Sequence, residues 1–125
     1  MTDDPDAEEP DPNEGQRSVI EDDGYPMRVL AGAGTGKTFT MVRKIEAVLD
    51  EGVAPEEVLA LTFTNEAARS MQQKLVDLVD ERAHDVDART YHSIAHDIVS
   101  EYTYDAGIDP DFDVLGDIER LELIY

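Results

Sequence analysis

The chain has 125 residues with 30 Asp and Glu against 10 Lys and Arg, a formal net charge of −20, and this length accommodates one domain with one core. Its 41% apolar content is typical of a folded chain, and the absence of cysteine excludes disulfides and thiolate metal sites. The sequence has no apolar run of the roughly 18 to 20 residues that cross a bilayer and begins with acids unlike a signal peptide, so we expect a cytoplasmic protein without a membrane partner.

The first half of the chain is predicted to contain a tail, two helices and one strand. Residues 1–12 are almost entirely polar and proline-rich, which predicts a disordered acidic tail. Residues 13–20 resemble a short helix, and residues 22–26 have the composition of a turn. The apolar run 27–31 predicts a buried strand. Apolar residues recur at helical spacing over 37–50, which predicts a helix there.

The second half continues the alternation of strands and helices. Residues 57–63 predict a second buried strand, and residues 65–80 a helix. Residues 87–90 predict a short third strand, followed by a helix over 91–104 and a final helix over 117–125. Alternation of this kind predicts parallel strands joined by crossover helices, hence an α/β fold. The helix over 91–104 is expected to turn three apolar side chains inward, Ile94, Ala95 and Ile98.

The most specific motif is a glycine-rich loop between the first predicted strand and the second helix. It fits the phosphate-loop pattern with alanine in place of the first glycine. Small residues let several backbone N–H groups converge on one anion, and the following helix adds its positive end. Lys37 is expected to reach the β- and γ-phosphates and the Thr38 hydroxyl to bind Mg²⁺, so both are candidate catalytic residues. The candidate triphosphate site is Ala31, Gly32, Ala33, Gly34, Thr35, Gly36, Lys37 and Thr38.

The alternative for this loop is a glycine-rich turn that binds nothing, and the terminal Gly-Lys-Thr disfavours it. Ahead of the loop, Gln16 lies 15 residues before Ala31. Taken together, these features resemble the UvrD/Rep-type superfamily 1 DNA helicases, in which a glutamine at that spacing recognises adenine. The amide of Gln16 suits this role because it offers a donor and an acceptor together. The resemblance therefore implies that Gln16 belongs to an ATP site.

Residues 61–68, Leu-Thr-Phe-Thr-Asn-Glu-Ala-Ala, are similar to motif Ia of that family, usually written TFTNKAA. The resemblance implies contact with single-stranded DNA, and the segment follows a parallel strand, where α/β sheets place ligands. Phe63 would offer a stacking face, and Thr64 and Asn65 polar groups. The alternative is that Phe63 belongs to the core and Asn65 caps the next helix. Glu66 stands where the family usually has lysine, which removes a phosphate partner.

Residues 90–93, Thr-Tyr-His-Ser, resemble the TFHS motif of the family with tyrosine in place of phenylalanine. Tyr91 keeps the aromatic face, and His92 would hydrogen-bond a nucleotide; the alternative is a structural histidine at a helix start. Lys44 stands where family members often have arginine near the nucleotide, and because Arg43 precedes it the adenine-side contact stays open. Four further side chains are assigned to packing or structure, His84, His96, Tyr102 and Tyr104.

The resemblance covers residues 13–125 and implies an incomplete RecA-like P-loop NTPase, a parallel sheet with flanking helices. It implies the ATP-binding portion of an ATP- and Mg²⁺-dependent 3′-to-5′ helicase on single-stranded DNA, with a further C-terminal helicase portion as partner. No apolar strand ending in Asp-Glu is found, so the segment is expected to stop before the Walker B carboxylates that hydrolysis needs. The alternative is a truncated module that binds nucleotide and DNA without turnover. The paired motifs disfavour an unrelated P-loop kinase or transporter ATPase.

The acidity opposes DNA binding, because proteins that bind DNA are usually basic. Two interpretations compete: an acidic, partly disordered interaction protein, or a protein from a halophile, whose surface repulsion is screened when the Debye length falls to about 3 Å in molar salt. The acids recur on the polar positions of helical segments, which favours the halophile. Because high salt also weakens phosphate contacts, stacking by Phe63 and Tyr91 is expected to matter more than ionic pairing.

Overall fold

The computed structural model describes residues 10–34 and 36–114. The predicted tail lies mostly outside these residues, and the predicted final helix over 117–125 lies outside them entirely. Short 3-10 turns, Pro55–Glu57 and Glu81–Asp85, precede the two strands. In chain order the helices and strands are α1 (Glu14–Glu21), α2 (Lys37–Asp50), β1 (Leu59–Thr62), α3 (Asn65–Leu78), β2 (Asp87–Thr90), α4 (Tyr91–Glu101) and α5 (Thr103–Ala106).

The strands β1 and β2 form a small parallel sheet. Leu59 pairs with Asp87, and the register continues to Thr62 opposite Thr90. The connection between them contains α3, as parallel strands require a crossover. The prediction of parallel strands joined by a helix is therefore confirmed for this pair. Because the strands are parallel, both end on the same side of the sheet.

The core lies between α2, α3 and the two strands. Apolar residues at helical spacing on α2 and on α3 turn toward the sheet, and Leu75 and Val42 are fully buried. Burial of such a stripe, rather than helix propensity, supplies most of the stability of short helices. The buried cluster is Val42, Ile45, Leu49, Ala60, Met71, Leu75, Ala83 and Val86.

The helix α4 differs from its prediction. None of residues 91–101, all of them described, is buried; Ala95 is exposed and Ile98 is 53% exposed. Tyr102 and Tyr104, assigned to packing, are also exposed. Ile94 is half-buried, but the other four predictions were wrong, because periodicity identifies an apolar stripe but not the element that covers it.

The strand predicted over 27–31 is absent from the structure. Residues 27–30 have no regular secondary structure and are exposed, with Leu30 at 83%. A strand needs a neighbour for its backbone hydrogen bonds, and among the described residues only β1 and β2 pair. The apolar composition of this run indicated burial but could not supply that neighbour.

None of the helices in the described part of the chain is long and apolar enough to cross a bilayer.

Candidate nucleotide site and nucleic-acid interface

The glycine loop turns sharply into α2. Gly34 and Gly36 have φ angles of +72° and +76°, a left-handed region that glycine adopts at no steric cost. Gly36 is the N-cap of α2, and its carbonyl accepts hydrogen bonds from the backbone N–H and the hydroxyl of Thr40, both at 2.9 Å. The predicted start of the helix at Lys37 is confirmed. Thr35 lies outside the described residues.

The N-terminus of α2 is open to an anion. The first turn of an α-helix leaves backbone N–H groups without a partner inside the helix, and the helix dipole makes this end positive. The first turn of α2 contains no acidic side chain that would neutralise it. Lys37 is exposed and Thr38 is half-buried at this end. The arrangement can therefore present N–H groups, an ammonium group and a hydroxyl to one ligand.

Gln16 lies against the last glycine of the loop. Its Oε1 accepts the Asn13 backbone N–H at 2.9 Å, and Asn13 Oδ1 accepts the Gln16 backbone N–H at 2.9 Å, which forms a capping box at the start of α1. A Cβ atom added to Gly36 would lie only 2.8 Å from Gln16 Nε2. The fold thus brings the predicted base-recognition side chain to the predicted phosphate loop.

The structure gives Lys44 a partner that the sequence did not indicate. Its Nζ donates to the carbonyls of Ile20 at 3.0 Å and Asp22 at 2.6 Å, so the ammonium group binds the C-terminal end of α1. The neighbouring Arg43 forms an ion pair with Glu46 at 2.7 Å. No sequence signal marked the Lys44 contact, because it joins α2 to backbone atoms far away in the chain.

Phe63 and Tyr91 form an exposed aromatic pair at the end of the sheet. Their ring centroids are 5.5 Å apart and tilted by 53°, within the range of favourable aromatic pairs. Phe63 is 83% exposed and Tyr91 49% exposed. The alternative that Phe63 belongs to the core is therefore wrong. The parallel register brings the rings together, because each follows the last residue of a paired strand.

Threonines cap the two helices that follow the strands. Thr64 Oγ1 accepts the Ala67 N–H at 3.0 Å at the start of α3, and Thr90 Oγ1 accepts the Ser93 N–H at 3.1 Å at the start of α4. The alternative that Asn65 is the helix cap is wrong, because Thr64 occupies that position. Asn65 is exposed in the first turn of α3.

An open groove of about 490 Å³ adjoins these helix starts. Asn65 and His92 line one part of it, and the rings of His96 and Phe112 lie 5.3 Å apart in another. Sequence analysis had assigned His96 to structure and did not single out Phe112. No sequence signal indicated that these two side chains are adjacent, because the groove forms where the segment after α5 returns alongside α4.

The positive charge of Arg89, two residues before Tyr91, is paired with two carboxylates. Arg89 on β2 has Nε 2.9 Å from Asp87 Oδ2, and its terminal nitrogen pairs with Asp97. The hydrogen bond that Arg89 donates to Asp97, opposed by desolvation and aided by the charge of Asp87, raises the pKa of Arg89 above its ordinary value. A cation shared by two carboxylates attracts a phosphate weakly. The exposed rings of Phe63 and Tyr91 are therefore better suited to contact a ligand at this place than the charge of Arg89 is.

The acidic residues of the described segments do not form a metal site of their own. Across residues 10–34 and 36–114 no group of three or more His, Asp or Glu side chains converges on a point. Neither β1 nor β2 ends in a carboxylate; they end in Thr62 and Thr90.

The protein has a mixed α/β fold, in which helices surround a pair of parallel strands and a glycine loop precedes one of the helices. This arrangement is compatible with part of a RecA-like domain. The chain belongs to the UvrD/REP helicase N-terminal domain family, whose model matches residues 12–125. It is 34% identical over 113 residues to ATP-dependent DNA helicase PcrA of Staphylococcus aureus. It is 33% and 32% identical, over 113 residues, to DNA helicase II of Salmonella typhimurium and of Escherichia coli.

The matched segment is 90% of this chain and 16% of the length of each of these relatives. The family resemblance inferred from the motifs is therefore confirmed. The inferred adaptation to high salt has no support among these relatives and stays a prediction.

Proposed function

We propose that this chain is the ATP-binding portion of an ATP-dependent 3′-to-5′ DNA helicase that translocates on single-stranded DNA. The observation that supports this most directly is the contact between Gln16 Nε2 and the position of Gly36. It puts a side chain suited to a nucleobase beside a loop suited to phosphates. The names of the relatives, ATP-dependent DNA helicase and DNA helicase II, point to the same activity.

The phosphates of ATP would bind at the loop and the N-terminus of α2. The left-handed glycines curl the backbone there, and a Cβ at Gly36 would enter the space beside Gln16, so the loop fits a close ligand. Lys37 would place its charge on the β- and γ-phosphates. Thr38 would offer one oxygen to Mg²⁺, which keeps several waters and takes its other ligands from phosphates. Bound Mg²⁺ would neutralise charge that develops on the phosphates.

Adenine would bind next to Gln16. An oxygen of an amide accepts two hydrogen bonds, so Oε1 can serve the capping box and still accept from the adenine amino group. Nε2 would donate to an adenine ring nitrogen. Guanine has the acceptor O6 where adenine has its amino group, so Oε1 would face an acceptor, and selectivity for adenine follows.

Single-stranded DNA would cross the end of the sheet. Phe63 and Tyr91 would stack on bases, and stacking tolerates any sequence because every base has a π-face. Thr64, Asn65 and His92 would contact the backbone or base edges, since all three lie at the starts of α3 and α4. Parallel strands commonly present ligand-binding residues at this end. Stacking is also less sensitive to salt than phosphate pairing.

Hydrolysis requires more than these residues. One carboxylate must hold Mg²⁺ and another must orient the attacking water, and neither described strand ends in one. We therefore assign residues 13–125 to an ATP-binding domain whose catalysis and movement on DNA depend on a C-terminal helicase portion. A module that binds without turnover is the competing outcome. Steady-state ATP hydrolysis in molar KCl, with and without single-stranded DNA, distinguishes the two when it is measured for this chain and for a chain extended by the C-terminal helicase portion. Turnover in the extended chain alone supports the assignment, and no turnover in either supports the binding module.

The nucleotide assignment is tested by Lys37→Ala. Removing a charge-assisted contact worth about 1.5–3 kcal/mol should weaken binding of a fluorescent ATP analogue with Mg²⁺ by about tenfold or more. Circular dichroism should be unchanged, because Lys37 is exposed. The matched control is Lys74→Ala on the exposed face of α3. Equal ATP affinity in the two variants would refute the assignment.

The DNA assignment is tested by Phe63→Ala and Tyr91→Ala. Loss of one base–aromatic stack, about 1–3 kcal/mol, should weaken binding of a labelled oligothymidylate by roughly fivefold to 100-fold, measured by fluorescence anisotropy. The matched control is Tyr104→Ala, because this ring is 88% exposed on α5 and outside the proposed path. A loss that is equal for all three variants would argue against a specific stacking platform.

A further inference from the structure

We infer that Lys44 is a positioning residue for base recognition: by binding the C-terminal carbonyls of α1 it holds Gln16 at the phosphate loop. The inference rests on the proposed function and adds a residue that acts on the nucleotide only through another residue. It starts from two hydrogen bonds, from Lys44 Nζ to the carbonyls of Ile20 and Asp22.

The helix α1 requires an anchor. It has eight residues, all of them described, and none is buried. Helices this short are marginal in water without tertiary contacts. Its C-cap, Asp22, is extended rather than left-handed, and the last turn of α1 has no basic residue. The carbonyls at this end are therefore left to water or to a group from elsewhere in the chain.

Lys44 supplies that group from the helix that begins at the loop. Lys44 is half-buried, and its ammonium group donates to the carbonyls of Ile20 at 3.0 Å and Asp22 at 2.6 Å. A cation at a helix C-terminus also interacts favourably with the dipole. The contact joins two helices that are separated in sequence by residues 22–36 and that pack against each other.

The second contact between the helices is at the site itself. Near the start of α1, Gln16 Nε2 lies 2.8 Å from the position of a Cβ on Gly36. Gly36 and Lys44 are separated by about two turns of helix, roughly 12 Å. Two contacts at that separation fix both the position and the direction of α1 along α2. Loss of the Lys44 contact frees one end of α1, and the amide of Gln16 loses its fixed distance from the loop.

The test compares a ligand that has a base with one that has none. Lys44→Met keeps the apolar stem and removes the donors. It should weaken Mg²⁺–ATP binding by about fivefold to tenfold while leaving the affinity for Mg²⁺–tripolyphosphate unchanged, because the loop is intact; both are measured by isothermal titration calorimetry. Lys44→Arg, which keeps cationic donors, should recover most of the ATP affinity. Lys74→Met is the matched control and should change neither ligand.

A double-mutant comparison separates positioning from direct contact. In a Gln16→Ala background, Lys44→Met should cause no further loss of ATP affinity, because Lys44 acts through Gln16. A further loss of the same size would show a direct contact with the nucleotide and overturn the inference. Equal losses for ATP and tripolyphosphate, or no loss of ATP affinity in Lys44→Met, would also overturn it. Should Lys44→Met fail to fold by circular dichroism, Lys44→Leu, which also removes the donors, gives the same test.

Failure of the proposed function has a different signature. An unaltered chain that binds neither ATP nor tripolyphosphate would remove the nucleotide site itself. Binding of both ligands with equal affinity would remove the base contact of Gln16 and, with it, the role of Lys44. Preference for ATP in the unaltered chain, together with no effect of Lys44→Met, would overturn only the inference.

Discussion

The glycine loop and the end of the parallel sheet both carry recognisable motifs, but the segment that leads into the loop lacks the hydrogen-bonded strands that support the end of the sheet. Residues 27–34 are exposed and have no regular secondary structure. By contrast, Thr62 and Thr90 are paired across β1 and β2, and each strand is followed directly by a capped helix. A motif therefore specifies local chemistry, whereas its rigidity depends on the neighbours that the fold provides.

The difference matters for the two proposed ligands. The aromatic residues Phe63 and Tyr91 directly follow hydrogen-bonded strands, so we expect their geometry to be the same with and without DNA. The glycine loop leads into α2 and lies against Gln16, whereas residues 27–30 before it belong to no strand. A bound triphosphate would supply further hydrogen bonds to the loop. We therefore expect ligand binding to order the nucleotide side more than the DNA side.

The largest predicted effect contrasts two leucines. Leu75 on α3 is fully buried and Leu30 before the loop is 83% exposed. Leu75→Ala should lower the free energy of unfolding by about 2–5 kcal/mol, whereas Leu30→Ala should change it by less than about 0.5 kcal/mol. Urea denaturation of both variants gives the comparison. A cost for Leu30→Ala as large as that for Leu75→Ala would show that residues 27–31 are buried in solution, as the predicted strand requires.

The helices and the order of elements were predictable because their signals are local. The apolar spacing of Val42, Ile45 and Leu49 predicted α2, and on α3 three residues at helical spacing are buried, Ala68, Met71 and Leu75. The pairing of β1 with β2 followed from the alternation of strands and helices. The strand over 27–31 was wrong because its partner is a non-local property, and the inward face of α4 was wrong for the same reason.

The candidate site was predictable as a set of residue types but not as a set of contacts. Gln16 and the loop were identified by spacing, and nothing in the sequence indicated that Lys44 binds the end of α1. The groove beside α4 depends on His96 and Phe112, which are adjacent only in the folded chain. At the start of α3 the sequence indicated Asn65 as the cap, whereas Thr64 holds that position in the structure, because both residue types are favoured there.

The intermediate predicted effect tests that cap. Thr64→Ala removes the acceptor for the Ala67 N–H and should cost about 1 kcal/mol of stability. Asn65→Ala should cost less, because Asn65 is exposed within the first turn. Urea denaturation measures both. The reverse order would assign the cap to Asn65 and would move the start of α3 by one residue.

The smallest predicted effect concerns a cluster of ion pairs around Arg82, in the turn before β2. Arg82 binds Asp80 at 2.8 Å and Asp50 at 2.8 Å, joining the turn before β2 to the end of α2. Its hydrogen bonds, opposed by slight desolvation, hold the pKa of Asp80 below the ordinary value. The contribution to stability should be small, because exposed ion pairs are screened by solvent and salt.

Its pH dependence gives the test. A carboxyl with a lowered pKa in the folded state stabilises the fold above its unfolded pKa, about 4 for aspartate, and loses that contribution as pH falls through the folded value. The difference in urea midpoint between the unaltered chain and Arg82→Gln should therefore be greatest near neutral pH, vanish in acid and shrink in molar KCl. A difference that persists unchanged in acid would mean that Arg82 stabilises the turn by packing of its stem rather than by charge.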